Sequence, residues 1–95
     1  MGRHLIRVRI TGQLEDYTGG RRELQVGGAS DVLGIVEELN RIFPGIERRI
    51  LNDQGKIRTY VNVFVNSDNT RDAAGERTKL KDGDVVHILP SVAGG

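Results

Sequence analysis

The chain has no cysteine and no tryptophan, only two prolines, and few aromatic residues of any kind. Without cysteine there is no disulfide framework, no thiolate nucleophile and no thiolate metal ligand. Charge of one sign is lacking too: 14 Lys+Arg stand against 13 Asp+Glu, a formal net charge of +1. Such a balance exerts no overall pull toward nucleic acid or an anionic membrane. No apolar run approaches the roughly 18 residues that a membrane span needs. Met1 to Val8 turns to alternating charged and apolar residues too early for a signal peptide, so a soluble, cytoplasmic protein is expected. Ile6 stands where a myristoylation signal needs Ser or Thr. At 95 residues the chain makes one domain with one core. That size favours a carrier or binding module over an enzyme with an enclosed active site.

What is present is strand-like alternation around one helical stripe. Ile6, Val8 and Ile10 alternate with Arg7 and Arg9, the two-residue period of a half-buried strand. A second strand fits Arg22 to Val26, with Leu24 and Val26 inward, forming a hairpin across a long polar loop. Ser30 is the expected helix N-cap with Asp31 in the first turn, and Val32, Leu33, Ile35, Val36, Leu39, Ile42 and Phe43 supply the 3.6-residue stripe. Pro44-Gly45 ends the helix, and a short helical turn is expected over Ile46 to Leu51. Ile57 to Val65 is the most β-prone run, with Val61, Val63 and Val65 on one face and Tyr60, Asn62 and Phe64 on the other. A short edge strand is expected near Thr70-Arg71, with Leu80 anchoring the loop before the last strand. In that strand Val86 and Ile88 face the core and Val85, His87 and Leu89 face outward. The order β-β-α-β-(β)-β predicts an α+β fold: a mixed sheet of four to five strands with one main helix across one face. Phe64 and Leu89, with Tyr60 and Val85, then gather on the uncovered face as a partner-binding patch.

Several familiar chemistries find no support. His4 and His87 fall in separate strands, and two isolated imidazoles make no zinc site, so no metal is expected. Arg21-Arg22 and Arg48-Arg49 read as solvated basic pairs. Gly19-Gly20 and Gly27-Gly28 are turn residues, since no Gly-Lys-Ser/Thr follows either pair.

The end of the chain is different. After Leu89 come Pro90, Ser91, Val92, Ala93, Gly94 and Gly95, without the Ser/Lys-rich composition of a linker. Two glycines in succession can lie in a narrow channel of a partner where any side chain would clash. The expected organisation is a domain over 1–89 and a slender tail over 90–95, extending about 20 Å. Its terminal carboxylate is the expected site of chemistry. Gly95 carries the reacting group, Gly94 keeps the tail thin, Val92 and Ala93 pack in the partner's channel, and Pro90 fixes the direction of exit.

Val63-Phe64-Val65-Asn66, Lys81-Asp82-Gly83-Asp84-Val85 and Pro90-Ser91-Val92-Ala93-Gly94-Gly95 resemble the ubiquitin-like β-grasp sulfur carriers of thiamin, molybdopterin and cysteine biosynthesis. The likeness covers essentially the whole chain. Tyr17-Thr18-Gly19-Gly20, Phe43-Pro44-Gly45-Ile46, Gly55-Lys56-Ile57 and the ending from Ile88 look most similar to the carrier that delivers sulfide for cysteine synthesis in actinobacteria. A single Pro90, where molybdopterin-synthase small subunits commonly carry paired prolines, separates the chain from that branch.

The resemblance implies a mechanism in which the chain is a co-substrate and not an enzyme. An E1-like, ATP-using activating enzyme would make the Gly95 acyl-adenylate, and a sulfur donor would displace AMP to leave a thiocarboxylate. A pyridoxal-phosphate cysteine synthase would then supply an aminoacrylate as acceptor, and a zinc peptidase would release the amino acid. No cofactor is bound by the chain itself, and neither nucleic acid nor membrane is a partner. Two alternatives share the activated carboxyl: a molybdopterin-synthase small subunit or other cofactor sulfur donor, and a ubiquitin-like modifier that forms isopeptide bonds. A non-covalent docking domain is the remaining reading.

Overall fold

A computed structural model describes residues 5–90. The first strand, β1 (Leu5–Ile10), follows the alternation: Ile6, Val8 and Ile10 are buried while Leu5, Arg7 and Arg9 are exposed. Antiparallel β2 (Glu23–Gly27) places Leu24 opposite Val8 and Val26 opposite Ile6. The polar segment between them contains a 3-10 helix over Gly12–Tyr17, pinned to the core by the buried Leu14. One leucine in a polar decapeptide sets no period, which is why the sequence shows only a loop there.

The main helix, α1 (Val32–Ile42), is capped by Asp31 rather than by Ser30. The Asp31 backbone is extended and its carboxylate accepts a 2.8 Å hydrogen bond from the Gly34 N–H. Ser30 is occupied elsewhere, its carbonyl accepting from the Leu80 N–H at 3.0 Å. Both residue types cap helices well, and here the chain enters the helix from an extended bridge between Asp31 and Lys79, flanked by the bond from the Val32 N–H to the Thr78 carbonyl. Val32, Ile35, Val36 and Leu39 are buried against the sheet, Leu33 and Phe43 pack at its margin, and Ile42 is exposed in the last turn. After Pro44 the chain turns through Gly45, and α2 (Ile46–Ile50) is anchored by buried Ile46 and Ile50.

The third strand, β3 (Val61–Val65), is shorter than its β-prone run suggests. Ile57 makes only an isolated bridge with Leu51. The approach to β3 is tied to α2 by bonds from Arg58 to the Ile50 and Arg48 carbonyls, and across it the Arg71 guanidinium donates to the carbonyls of Arg58, Thr59 and Val61 and to the side-chain oxygen of Asn62, at 2.7–3.0 Å. The edge strand β4 is Asp68–Asn69, two residues before the expected position. Thr70 turns inward to donate its buried hydroxyl to the Val63 carbonyl at 2.9 Å, which ends the strand and starts a 3-10 turn over Thr70–Asp72.

The last described strand, β5 (Val85–Pro90), enters the middle of the sheet, giving the order β2-β1-β5-β3-β4. It runs parallel to β1 and antiparallel to β3. The result is a five-stranded mixed sheet with one main helix on one face, the β-grasp arrangement.

The motif residues around Asn66 and Asp84 shape the entry to β5. Asn66 has φ of 58°, a left-handed conformation that Asn tolerates better than most residues. There its amide oxygen accepts from the Val85 N–H and its amide nitrogen donates to the Asp84 carboxylate, each at 3.1 Å. The same carboxylate accepts from the Lys81 N–H at 2.8 Å. Together these bonds build the turn that feeds β5.

Candidate functional site

The sheet's second face carries no helix, and register places its side chains. Reading across β2, β1, β5, β3 and β4, one row is Glu23, Arg9, His87, Phe64 and Asn69. Leu89 lies opposite Asn62, diagonal to Phe64 and within reach of a ring. Phe64, Leu89 and Val85 are each half-buried, so the structure brings three of the four expected patch residues onto this face. Tyr60 differs. It sits in the turn before β3 and lines a cleft at the end of the sheet.

His87 occupies the centre of the face and shares a 2.9 Å hydrogen bond with the Thr11 hydroxyl through Nε2. Partial burial, and after it the positive Arg9, hold its pKa below the usual imidazole value. The unfolded chain therefore takes up this proton more readily than the folded one. Stability from neutral His87 is present above about pH 6.5 and is lost as pH falls through the lowered folded value. In a series of thermal midpoints from about pH 8 down to pH 5, His87→Gln is expected to flatten the decline below pH 6.5. An unchanged slope would show that the imidazole is indifferent to folding.

The expected tail has its root beside this face. Pro90 is the last residue of β5 and pairs with Val61 of β3. The strand thus runs one residue past the boundary read from sequence. The parallel ladder to β1 has already ended at the Ile10 and Ile88 pair, so the missing proline N–H falls where one neighbour has left. Against Pro90 opens a cleft of about 690 Å³ lined by Leu14, Asp16, Tyr17, Arg49 and Tyr60 among others. Among the described residues that line it the cation is Arg49, whose guanidinium lies 5.6 Å from the Tyr17 ring centre and donates to the Tyr17 hydroxyl. That bond raises its pKa further above the ordinary arginine value.

The basic pairs are therefore more than solvated surface. Arg22 meets Glu15 at 3.1 Å, Arg21 lies over the Phe43 ring and Arg49 over that of Tyr17. Spacing in the sequence gives no sign of these pairings, because they join segments far apart in the chain. Among the described residues no group of His, Cys, Asp and Glu could hold a metal ion, and no helix is long and apolar enough to cross a membrane. Val92, Ala93, Gly94 and Gly95 lie outside the described residues.

A β-grasp core whose central strand ends in a proline beside an open, partly apolar face invites comparison with known proteins. The profile of the ThiS family matches residues 8–95. The chain belongs to the ThiS family. The sulfur carrier protein CysO of Mycobacterium tuberculosis is 37% identical over 93 residues, covering 95% of this chain and 98% of that protein. A chain of the Amycolatopsis orientalis BexX/CysO complex superposes with a TM-score of 0.86 at 33% identity, covering 95% of this chain and 99% of its own. Small archaeal modifier protein 1 of Methanosarcina acetivorans shares the fold at a TM-score of 0.81 and 26% identity, with both chains covered completely. As a ThiS-family chain of the CysO type it is a small protein substrate and not a catalyst.

Proposed function

We propose that this chain is a sulfur carrier whose Gly95 carboxylate is adenylated, converted to a thiocarboxylate and used as a sulfur donor, with cysteine as the product. The observation that carries this reading is the near-complete overlap with CysO, 95% of this chain and 98% of that protein, with the family match extending through Gly95. The open face supports it by offering a docking surface beside the root of the tail.

The chemistry follows from the group at the end. A terminal carboxyl ionises near pH 3.3–3.7 in the absence of perturbation, so at neutral pH Gly95 is an anion and a poor electrophile. Attack of a carboxylate oxygen on the α-phosphorus of ATP forms the acyl-adenylate and expels pyrophosphate. Hydrosulfide, from a donor on the activating enzyme, then adds to the acyl carbon and expels AMP. The C–S bond formed leaves a thiocarboxylate whose sulfur is a nucleophile at neutral pH. Addition of that sulfur to the β-carbon of an aminoacrylate joins the amino acid to the tail. A pyridoxal-phosphate cysteine synthase would supply the acceptor, and hydrolysis by a zinc peptidase would restore the carboxylate. This chain binds no cofactor in the scheme and contributes the attached sulfur, the thin tail and the docking surface of Phe64 and Leu89.

Intact mass of the protein from its own host, purified without reducing or alkylating agents, tests the reading. The expected result is a species heavier by the exchange of one oxygen for sulfur, localised to the Gly94-Gly95 fragment. An unmodified mass during active sulfur assimilation would sink it. The likeness to small archaeal modifier protein 1 favours one second reading, a protein modifier. Conjugates of high mass that vanish on deletion of Gly95 would select it. Transfer of the thiocarboxylate sulfur to a pterin precursor, with none passing to an aminoacrylate acceptor, would redirect the sulfur to molybdopterin.

A further inference from the structure

The tail begins at Pro90, and the position of that ring is fixed from two sides. Val61 pairs with Pro90 across the β3 and β5 ladder. On the other side Gly12, which opens the 3-10 helix after β1, has φ of +76° and lies directly against the ring. A Cβ added to Gly12 would stand 3.3 Å from both Cδ and Cγ of Pro90 and 3.7 Å from Cδ1 of Leu89. The first two distances are tighter than ordinary van der Waals contact, and the atoms they meet belong to a ring that cannot rotate away.

The segment carrying Gly12 is itself tied to β5. The Thr11 N–H donates to the Ile88 carbonyl at 3.2 Å, and the Thr11 hydroxyl is bonded to His87 at 2.9 Å. Gly12 thus takes the place of a strand neighbour at the point where the ladder between β1 and β5 has stopped.

From this contact we infer that Gly12 is a positioning residue for the C-terminal tail: its missing side chain seats the Pro90 ring and so sets the direction in which the tail leaves the sheet. Gly12 acts through Pro90 and touches no reacting atom. The inference rests on the proposal that the tail reacts at Gly95.

The lever arm is long. Proline locks its own φ near −65°, so the seat of the ring sets the direction in which the chain leaves Pro90. Five further residues extend about 17 Å, and a tilt of about 10° at the root moves the far end by about 3 Å. When the folded body is docked on an activating enzyme, a displacement of that size misaligns the carboxylate with ATP. Misplacement by about 1 Å can cost on the order of 10²-fold in rate.

The fold supplies its own control. Gly28 also has positive φ, +86°, and a Cβ there would meet nothing within 4 Å. Alanine at Gly28 imposes the same kind of backbone strain as alanine at Gly12, without touching the tail root.

The test is ATP–pyrophosphate exchange catalysed by the activating enzyme encoded in the same genome. Full-length wild type, Gly12→Ala, Gly28→Ala, Pro90→Ala and the Gly12→Ala/Pro90→Ala pair are compared, with the thermal midpoint of each. Both glycine variants are expected to lose thermal stability, Gly12→Ala the more, because its Cβ also meets the Pro90 ring. Gly12→Ala should lower kcat/KM for the carrier about tenfold or more, whereas Gly28→Ala stays within about twofold of wild type. Pro90→Ala unseats the ring without altering Gly12 and should itself cost about fivefold. The pair should then fall no further than Pro90→Ala alone, because the clash needs the ring.

Equal activity of Gly12→Ala and Gly28→Ala, or multiplicative losses in the pair, would overturn the inference. If Gly12→Ala does not fold, Pro90→Ala decides, and wild-type kinetics from that variant would overturn the inference on its own. Wild type that supports no exchange would instead remove the tail-activation proposal, and the role of Gly12 with it.

Discussion

Removing Gly95 alone is expected to leave the thermal midpoint unchanged and to abolish adenylation, with a loss of more than about 10²-fold in pyrophosphate exchange. The stability half of this result follows from where the core lies. The buried apolar side chains run from Ile6 to Ile88, and none of them follows Ile88 among the described residues. The activity half follows from reach. One residue fewer withdraws the carboxylate by about 3.3–3.6 Å, several times the misplacement that an in-line attack tolerates. The measurement pairs a melting curve with the exchange assay, using the activating enzyme and wild-type carrier as reference. Exchange at even a tenth of the wild-type rate would mean that the enzyme reads the body of the domain and accepts a tail of any length. The terminal residue would then not be the acceptor.

The second large effect concerns the strand that carries the tail. Ile88 is fully buried in β5, paired with Ile10 on one side and Val63 on the other. Truncation to alanine removes three carbons from the centre of the sheet. The cavity is bordered by strands on both flanks, so the surroundings have little freedom to collapse into it. A loss of about 3–4 kcal/mol is expected, within the range of about 2–5 for such truncations. For a domain of this size each kcal/mol lowers the thermal midpoint by about 4–8 °C, so the midpoint should fall by about 12–32 °C. Urea titration with an unchanged m-value would assign the loss to packing rather than to a change in the unfolded chain. A cost below about 1 kcal/mol would show that the centre of the sheet is looser than its burial implies.

Much of the fold was legible because it depends on local periodicity. Ile6, Val8 and Ile10, and later Val86 and Ile88, alternate as strands must, and the stripe from Val32 to Leu39 has the helical period. What was not legible depends on partners distant in sequence. Asp31 and not Ser30 is the cap, at the end of an extended segment that bridges to Lys79 far along the chain. The approach to β3 is tied to α2 through Arg58 and crossed by Arg71. The edge strand moves to Asp68–Asn69 because the Thr70 hydroxyl turns to Val63. The same division holds at the candidate site. Phe64 and Leu89 reach the open face through alternation, which a sequence displays. The approach of Gly12 to Pro90, the pairing of Arg49 with Tyr17 and the departure of Tyr60 toward their cleft are long-range events without a local pattern. A glycine two residues past an alternating strand was the one available sign, and it reads equally well as a turn.

The strand order has a consequence in time as well as in space. β5 fills the gap between β1 and β3, so neither of those strands has its inner neighbour until residues 85–90 have been made. A chain interrupted before that point presents two unpaired strand edges, the exposed features that chaperones and proteases act on. The closing strand is thus the last of the described elements to be made, and a chain cut off ahead of it displays its own incompleteness as bare sheet edges.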